Sequence, residues 1–244
     1  MRALPAADLL EAWERGRTRP PLERPLALLE VAGGGEAGPE PARLPVGERD
    51  ALLLELRASI FGPRLDGVVG CPGCGELLEL SLDIDDLRAA REGAAQEPPV
   101  VERDGYEVRF RPPDTADLAA IADGGDEASA RRRLFELCVV EARREGEAFD
   151  AGRLPEEVVA AVGEAMHRSD PRAAVEVALT CPECGHGWAS PVDVAAFLWA
   201  ETDRWARRIL GEVHALASAY GWSEDEILRL GPARRRVYLE MIGE

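Results

Sequence analysis

Two short cysteine motifs constrain this 244-residue chain more than any other feature. The first reads Cys71-Pro-Gly-Cys74-Gly75 and the second reads Cys181-Pro-Glu-Cys184-Gly185. A Cys-x-x-Cys turn places two sulfur atoms on the same side of a tight loop, and four thiolates suit a closed, structural zinc site. The segments also align beyond the cysteines, because Asp83 and Asp193 stand at the same offset, each positioned to cap a helix. The sequence therefore predicts a duplicated strand–knuckle–strand–helix unit.

We predict that Cys71, Cys74, Cys181 and Cys184 together hold one zinc ion with a structural role. The two pairs lie much further apart than the ~15–20 residues usual in zinc ribbons, so the hairpin and helices between them are interpreted as an insertion. A zinc ion that bridges two chains and an ancestral site without metal stay open as alternatives. A redox role fits less well, since two equivalent copies with proline and glycine are typical of metal knuckles.

Other potential ligands and nucleophiles are assigned structural roles. Cys138 lies in an apolar helical pattern and is expected to be a buried small hydrophobe. His186 follows the second motif, but its counterpart after the first is Glu76, so we expect that it does not bind the metal. The chain has three histidines and neither a His-Glu-x-x-His nor a Gly-x-Ser-x-Gly motif. We therefore predict that the protein is not an enzyme.

Net charge and hydropathy exclude several classes of partner. The formal net charge is −17, and a surface this acidic repels phosphate groups. We therefore expect no binding to nucleic acid or to an anionic membrane. No apolar run approaches the ~18–20 residues of a membrane span. The first residues contain no apolar run and reach Asp8 early, so a secretory signal is not expected and a disulfide framework is disfavoured.

The pattern along the chain predicts an α+β fold that is mainly helical. Helices are expected to surround a small antiparallel zinc-ribbon-like sheet that joins the two Cys-x-x-Cys knuckles. Asp104-Gly105 predicts a hairpin over 100–110. The predicted helices cover 6–17, 21–31, 46–61, 115–122, 127–144, 155–168, 193–220, 223–230 and 232–242. The predicted segments are an N-terminal helical segment (1–32), a flexible linker (33–45), a zinc-ribbon-like core with a helical and hairpin insertion (46–192), and a C-terminal helical subdomain (193–244).

Aromatic residues are only 5% of the chain, yet they concentrate in its last quarter. They are interpreted either as the core of the helical subdomain or, in part, as an exposed anchor patch for a protein partner. The candidate partner-binding residues are Trp199, Trp205, Tyr220, Trp222 and Tyr238. The basic run Arg234-Arg235-Arg236 is expected to be solvated or paired with acidic neighbours, with a partner contact as the alternative.

Several segments of the chain together resemble the corresponding segments of one known family. They are Leu44–Asp50 before a leucine-rich helix, the two cysteine motifs, the Phe110–Asp114 turn, and the ending from His214 through Tyr220-Gly-Trp222-Ser to Leu239. In them, the chain is similar to the T-even-type phage baseplate hub assembly chaperone family, whose relatives are encoded with phage tails and phage-derived contractile injection systems. The resemblance extends from Leu44 to the end of the chain.

The resemblance implies a non-enzymatic assembly factor, or a small structural component, of a contractile-tail baseplate. Its partners would be hub, spike or other tail proteins. It would reside in the bacterial cytoplasm or in a phage tail-like particle. The alternatives are a zinc-ribbon nucleic-acid-binding module and a general adaptor. The acidic stretch Glu76–Asp83 beside the first knuckle counts against the nucleic-acid module.

Overall fold

The computed structural model describes residues 4–33, 40–85, 99–122 and 125–243. The α-helices in this part of the chain are Ala6–Arg17 (α1), Leu26–Ala32 (α2), Val46–Phe61 (α3), Thr115–Ala122 (α4), Glu127–Cys138 (α5), Glu156–Ser169 (α6), Val194–Tyr220 (α7), Glu224–Leu228 (α8) and Pro232–Ile242 (α9). The strands are Arg64–Gly70 (β1), Leu77–Asp83 (β2), Val100–Arg103 (β3), Tyr106–Phe110 (β4), Val139–Arg144 (β5), Glu147–Ala148 (β6), Glu176–Thr180 (β7) and Gly187–Pro191 (β8). The predicted class, mainly helical with small antiparallel sheets, is confirmed.

The chain forms two compact units. One comprises Met1–Ala37 with Ala195–Glu244, and the other comprises Gly38–Val194. The segment boundaries drawn from the sequence stay a prediction, and residues 34–39 of the predicted linker lie outside the described residues. No helix in the described part of the chain is both long enough and apolar enough to cross a membrane.

The described residues of the first unit form helices and the turns that connect them, without a β-strand. α1 and α7 share a core of Leu10, Trp13, Ala206 and Ile209. The Trp13 indole N–H donates a hydrogen bond to Asp203 Oδ1 at 2.8 Å, so the polar edge of the buried ring is satisfied. One apolar face of the long helix α7 is therefore the surface that it buries against α1. Full burial of each large aliphatic side chain contributes about 1.5–3 kcal/mol.

α8 begins at a capping box formed by Ser223 and Glu226. The Glu226 backbone N–H donates to Ser223 Oγ at 3.4 Å, and the Ser223 N–H donates to Glu226 Oε2 at 2.9 Å. These two bonds satisfy donors that the first turn of a helix leaves without an intrahelical acceptor. Ile227 in the same short helix is fully buried against Val213 and Leu216 of α7.

The second unit contains a four-stranded antiparallel sheet in the order β3-β4-β5-β6. Tyr106, Val108 and Phe110 alternate along β4, so they share one face of the sheet, and they pack with Val158 and Val162 of α6. The hairpin between β3 and β4 turns at the predicted Asp-Gly pair, where both residues have positive φ, 51° and 79°. That conformation matches the twist of the flanking strands, which is why this dipeptide is a strong hairpin signal.

Each cysteine motif lies at the tip of its own hairpin. β1 pairs with β2, and β7 pairs with β8, as two separate antiparallel sheets. The expectation of one sheet joining both knuckles is therefore corrected. The duplicated unit predicted from the sequence forms two hairpins, and the cysteine sulfur atoms at their tips lie close together.

Two predicted helices also differ from the structure. The predicted helix over 127–144 ends at Cys138, and its last part is strand β5, which pairs with β4. Val139 and Val140 favour a strand, and pairing with β4 supplies backbone partners that override the helical pattern. The predicted helix over 21–31 is a 3-10 turn, Pro21–Glu23, followed by α2. Pro25 lacks an N–H and interrupts a continuous helix there.

Candidate metal centre

The two cysteine turns have the same backbone hydrogen bonds. In the first, the Cys71 N–H donates to the Glu76 carbonyl at 2.8 Å, and the Gly75 N–H donates to the Cys71 carbonyl at 2.8 Å. In the second, the bond from the Gly185 N–H to the Cys181 carbonyl is 2.9 Å long. The glycines have φ of 81° and 72°, in the left-handed region that a side chain disfavours. The glycine after each pair therefore lets the chain turn back into the second strand.

The four sulfur atoms form one compact cluster. The Sγ atoms of Cys71 and Cys184 lie 3.7 Å apart, as do those of Cys74 and Cys181. All four ligand atoms lie within 4.8 Å of one another. Four sulfurs at the usual Zn–S distance of about 2.3 Å, arranged as a tetrahedron, stand about 3.8 Å apart. The donor set and its spacing therefore fit a tetrahedral metal ion.

Burial within the cluster is also symmetric. The first cysteine of each pair, Cys71 and Cys181, is 3% and 1% exposed, whereas Cys74 and Cys184 are exposed. A set of four protein thiolates leaves no coordination position for water or substrate. The geometry is that of a site that joins two hairpins, not of one that activates a ligand.

The surroundings of the clustered thiols lower the pKa of Cys71 and raise the pKa of Cys74. Burial raises the pKa of Cys71, but hydrogen bonds from the Cys74 and Gly73 N–H groups and from neighbouring thiols outweigh it and lower the pKa to about 7. The Glu76 N–H lowers the pKa of Cys74, but the Cys184 side chain, burial and the other thiols raise it to about 12. A divalent cation supplies the charge that lets several thiolates coexist, so binding displaces protons.

The remaining candidate ligands lie outside the cluster. His186 stacks on Trp188 with ring centroids 6.0 Å apart and is not part of the cysteine group. Cys138 is fully buried, as predicted, and its Sγ lies 4.0 Å from Asp117 Oδ2. Burial, followed by the Asp117 charge, raises the pKa of the Cys138 thiol to about 12. The thiol is therefore protonated at neutral pH and does not act as a nucleophile.

The predicted partner-binding aromatics fall into two groups within the first unit. Trp199 and Trp205 pack against the α1–α7 core, and a Cβ at Gly16 would lie only 2.5 Å from the Trp199 ring. Their role in partner binding stays a prediction. The close fit at Gly16 shows that Trp199 is already in tight contact within the chain.

The second group is a cluster that we call the aromatic triad, formed by Tyr220, Trp222 and Tyr238. The Tyr220 and Trp222 rings stack with centroids 4.7 Å apart. Tyr238 meets the Trp222 ring edge-to-face at 4.9 Å. Tyr220 is 38% exposed, so the triad combines a packed interior with an accessible rim. Its role in partner binding also stays a prediction.

The basic run in α9 separates into one buried and two exposed arginines. Arg235 is 5% exposed, and its Nε donates to Glu212 Oε2 at 2.9 Å. Arg234 and Arg236 are exposed. The pairing with an acidic neighbour that the sequence predicts is therefore confirmed for Arg235.

A buried polar junction in the second unit is the feature that sequence reasoning missed. Arg49 is 5% exposed, and its guanidinium contacts Asp50 Oδ1 at 2.7 Å and donates to Thr115 Oγ1 at 2.9 Å. The Gly47 N–H donates to Asp170 Oδ2 at 2.8 Å. The signal in the sequence was the placement of Arg49-Asp50 inside an otherwise leucine-rich helix.

The same junction extends through the turn before α4. Arg111 makes a bidentate pair with Asp117, at 2.6 and 2.8 Å. Asp114 and Asp117 each accept a hydrogen bond from the other's backbone N–H at 2.9 Å. The Val46 N–H donates to the Pro113 carbonyl at 3.0 Å. The Leu44–Asp50 and Phe110–Asp114 segments, far apart in sequence, therefore form one polar structure.

Comparison with known proteins gives one match. A family model described as T4 bacteriophage base plate protein matches residues 30–199, more than two thirds of the chain. The matched range contains both segments of the buried junction and all four clustered cysteines. No curated protein and no solved structure matches the chain.

Proposed function

The chain belongs to the T4 bacteriophage base plate protein family, and from that premise we propose that it assembles, or forms a small part of, the baseplate hub of a contractile tail. It acts there by binding other tail proteins and performs no catalysis. The observation that carries this proposal is the family match, which spans the whole of the compact second unit. The particle is a phage tail or a phage-derived injection system.

The proposal gives the four-cysteine cluster a structural role, with Zn²⁺ as the ion. Support comes from the sulfur separations of 3.7 Å and from the absence of an open position in a four-thiolate set. When bound, zinc would supply folding free energy by joining the two hairpin tips. Cys71, Cys74, Cys181 and Cys184 would hold it within one chain, and each hairpin supplies two ligands.

The proposed partners are hub, spike or other tail proteins. The aromatic triad supports a partner contact on the first unit, because aromatic side chains with one accessible edge are enriched among residues that dominate interface energies. Trp199 and Trp205 would act indirectly, by holding α7 against α1. The net charge of −17 favours a protein partner over nucleic acid.

The test is affinity capture of the tagged protein from its native host, combined with sedimentation of the lysate and mass spectrometry. Recovery of hub or spike proteins in light fractions alone would identify a transient assembly factor. Recovery in sheathed particles would identify a structural component. Recovery of no tail protein in either fraction would refute the proposed function. A variant with Cys71→Ser and Cys181→Ser shows whether the metal centre is needed for capture.

A further inference from the structure

A pocket lies between two helices of the second unit, away from the cysteine cluster. We call it the α5–α6 pocket. Its cavity volume is about 300 Å³. Leu134 and Phe135 of α5 face Val159 and Met166 of α6 across it. A volume of this size is at the lower end for ligand sites and fits one or two side chains better than a large cofactor.

Gly163 lines this pocket in the middle of α6. A glycine inside a helix is destabilising relative to alanine, because it has more backbone freedom to lose on folding. Nothing lies within 4 Å of the position that a Cβ would take at Gly163, so no contact within the described chain requires a glycine there. In contrast, a Cβ at Gly47 would lie 1.9 Å from Asp170 Oδ1. The missing side chain at Gly163 instead leaves the pocket open to an occupant.

The charged residues that line the pocket indicate which chemical groups an occupant should have. Arg131 lines it, is exposed, and has no hydrogen bond or ion pair within the described residues. His167 supplies a second nitrogen donor from α6. Asp170, the carboxylate among the lining residues, already accepts the Gly47 N–H. In a chain with net charge −17, this pocket therefore offers a local cation and apolar walls.

We propose that the α5–α6 pocket receives a bulky apolar side chain from a segment of another tail protein, and that a carboxylate in that segment pairs with Arg131. This inference rests on the proposed function and names the chemistry of one partner contact. An apolar anchor inserted into a pocket, with a charged pair at the rim, is the usual arrangement of an interface hot spot.

The experiment first locates the occupant and then measures its binding. A diazirine amino acid in place of Ala160, an exposed position on α6 near Gly163, is cross-linked in the native host. The captured segment is identified by mass spectrometry. We expect a tail protein segment with Leu, Ile, Met, Phe or Trp within about four residues of Asp or Glu, so that both reach one helix face. A synthetic peptide of that segment is then titrated by fluorescence anisotropy against the full-length protein.

Two variants and two matched controls decide the outcome. Gly163→Leu fills the pocket and raises helix propensity, and Arg131→Glu reverses the rim charge. Gly163→Leu should weaken binding by about tenfold or more, the loss expected when one large apolar side chain is no longer buried. Arg131→Glu should weaken it by a similar factor, because it replaces an attractive charge pair with repulsion between two carboxylates. Gly211→Leu also replaces a helical glycine next to open space, and Arg133→Glu also reverses an exposed arginine on α5. These controls should bind within about twofold of the unmodified protein.

Several results overturn the proposal. They are cross-links to a second copy of this chain, no cross-link to any tail protein, or equal binding by Gly163→Leu and the controls. If the protein still sediments with tail proteins in those cases, the pocket assignment fails while the proposed function stands. If it recovers no tail protein at all, the proposed function fails first.

Discussion

If the four cysteines hold zinc as proposed, removal of the ion should destabilise the second unit by an amount that follows from the positions of the cysteines in the sequence. Cys74 and Cys181, which lie side by side in the cluster, are separated by 107 positions in sequence. A cross-link that closes a loop of this length lowers the entropy of the unfolded chain, which corresponds to about 5 kcal/mol at 25 °C. Single domains are typically stable by about 5–15 kcal/mol, so loss of the cross-link removes a large share of that stability.

The assay is urea unfolding followed by circular dichroism, with and without a strong zinc chelator. We expect the chelator to lower the unfolding midpoint of the unmodified protein. Cys184→Ser should lower it similarly without chelator, because a hydroxyl is a poor replacement for a thiolate ligand. The matched control is Cys138→Ala, which removes a buried thiol outside the cluster and should cost about 1 kcal/mol while leaving chelator sensitivity intact.

A structural site made of four thiolates within one chain should also have a defined metal content and pH dependence. One zinc ion per chain should copurify, and the apparent affinity should fall steadily as pH is lowered, because protons compete with the ion for all four thiolates. Two results would refute the structural assignment. One is an unfolding midpoint that neither chelator nor Cys184→Ser changes, and the other is a metal stoichiometry of one per two chains, which would indicate a site between chains.

Two further predictions concern the buried junction, and a third concerns the Cys138 thiol, which lies 4.0 Å from Asp117. Gly47→Ala places a Cβ 1.9 Å from Asp170 Oδ1, so it should destabilise the protein by about 1–3 kcal/mol in urea unfolding; an unchanged midpoint would contradict the packing described. Burial opposes ionisation of Asp117, but its interactions with Arg111 outweigh burial and lower the pKa of the carboxyl group. The Arg111–Asp117 pair should therefore stabilise the fold above about pH 4. That contribution should be lost as the pH falls through the lower pKa of the folded state. Asp117→Asn should flatten the acid side of the stability profile, and an unaltered profile would exclude this origin. Burial keeps Cys138 protonated up to a pKa of about 12, so stability should decline as pH rises above about 8.5 towards that value, and Cys138→Ala should remove that decline in Tm measurements.

The sequence predicted helices correctly where regular apolar spacing or a capping motif involves only residues that are near one another in the chain. The 27-residue helix α7 and the α8 capping box follow from apolar spacing and from Ser223 with Glu226. The Asp104-Gly105 hairpin follows from a dipeptide that accepts positive φ at both positions. These features depend on neighbours within a few residues, so the chain encodes them before any tertiary contact forms.

The sequence could not separate α5 from β5. Residues 127–144 carry one apolar pattern, but Val139–Arg144 pairs with β4, which lies about 30 residues earlier. It also could not identify the junction between the Leu44–Asp50 and Phe110–Asp114 segments, because charged residues in a helix normally face solvent. Only the folded chain shows that Arg49 is buried and that its guanidinium donates hydrogen bonds to Asp50 and Thr115.

The four-cysteine cluster shows what the sequence and the tertiary structure each decided. By itself, the sequence determined the four thiols, the local turns and their duplication, because a Cys-x-x-Cys-Gly loop fixes the conformation of each pair. It left open whether the pairs meet within one chain, because 107 positions separate Cys74 from Cys181 and spacing does not constrain such a loop. The tertiary structure decided that question by bringing two separate hairpins together at their tips. It also opened the α5–α6 pocket, because a cavity between two helices depends on how they pack and on the one side chain, at Gly163, that is missing.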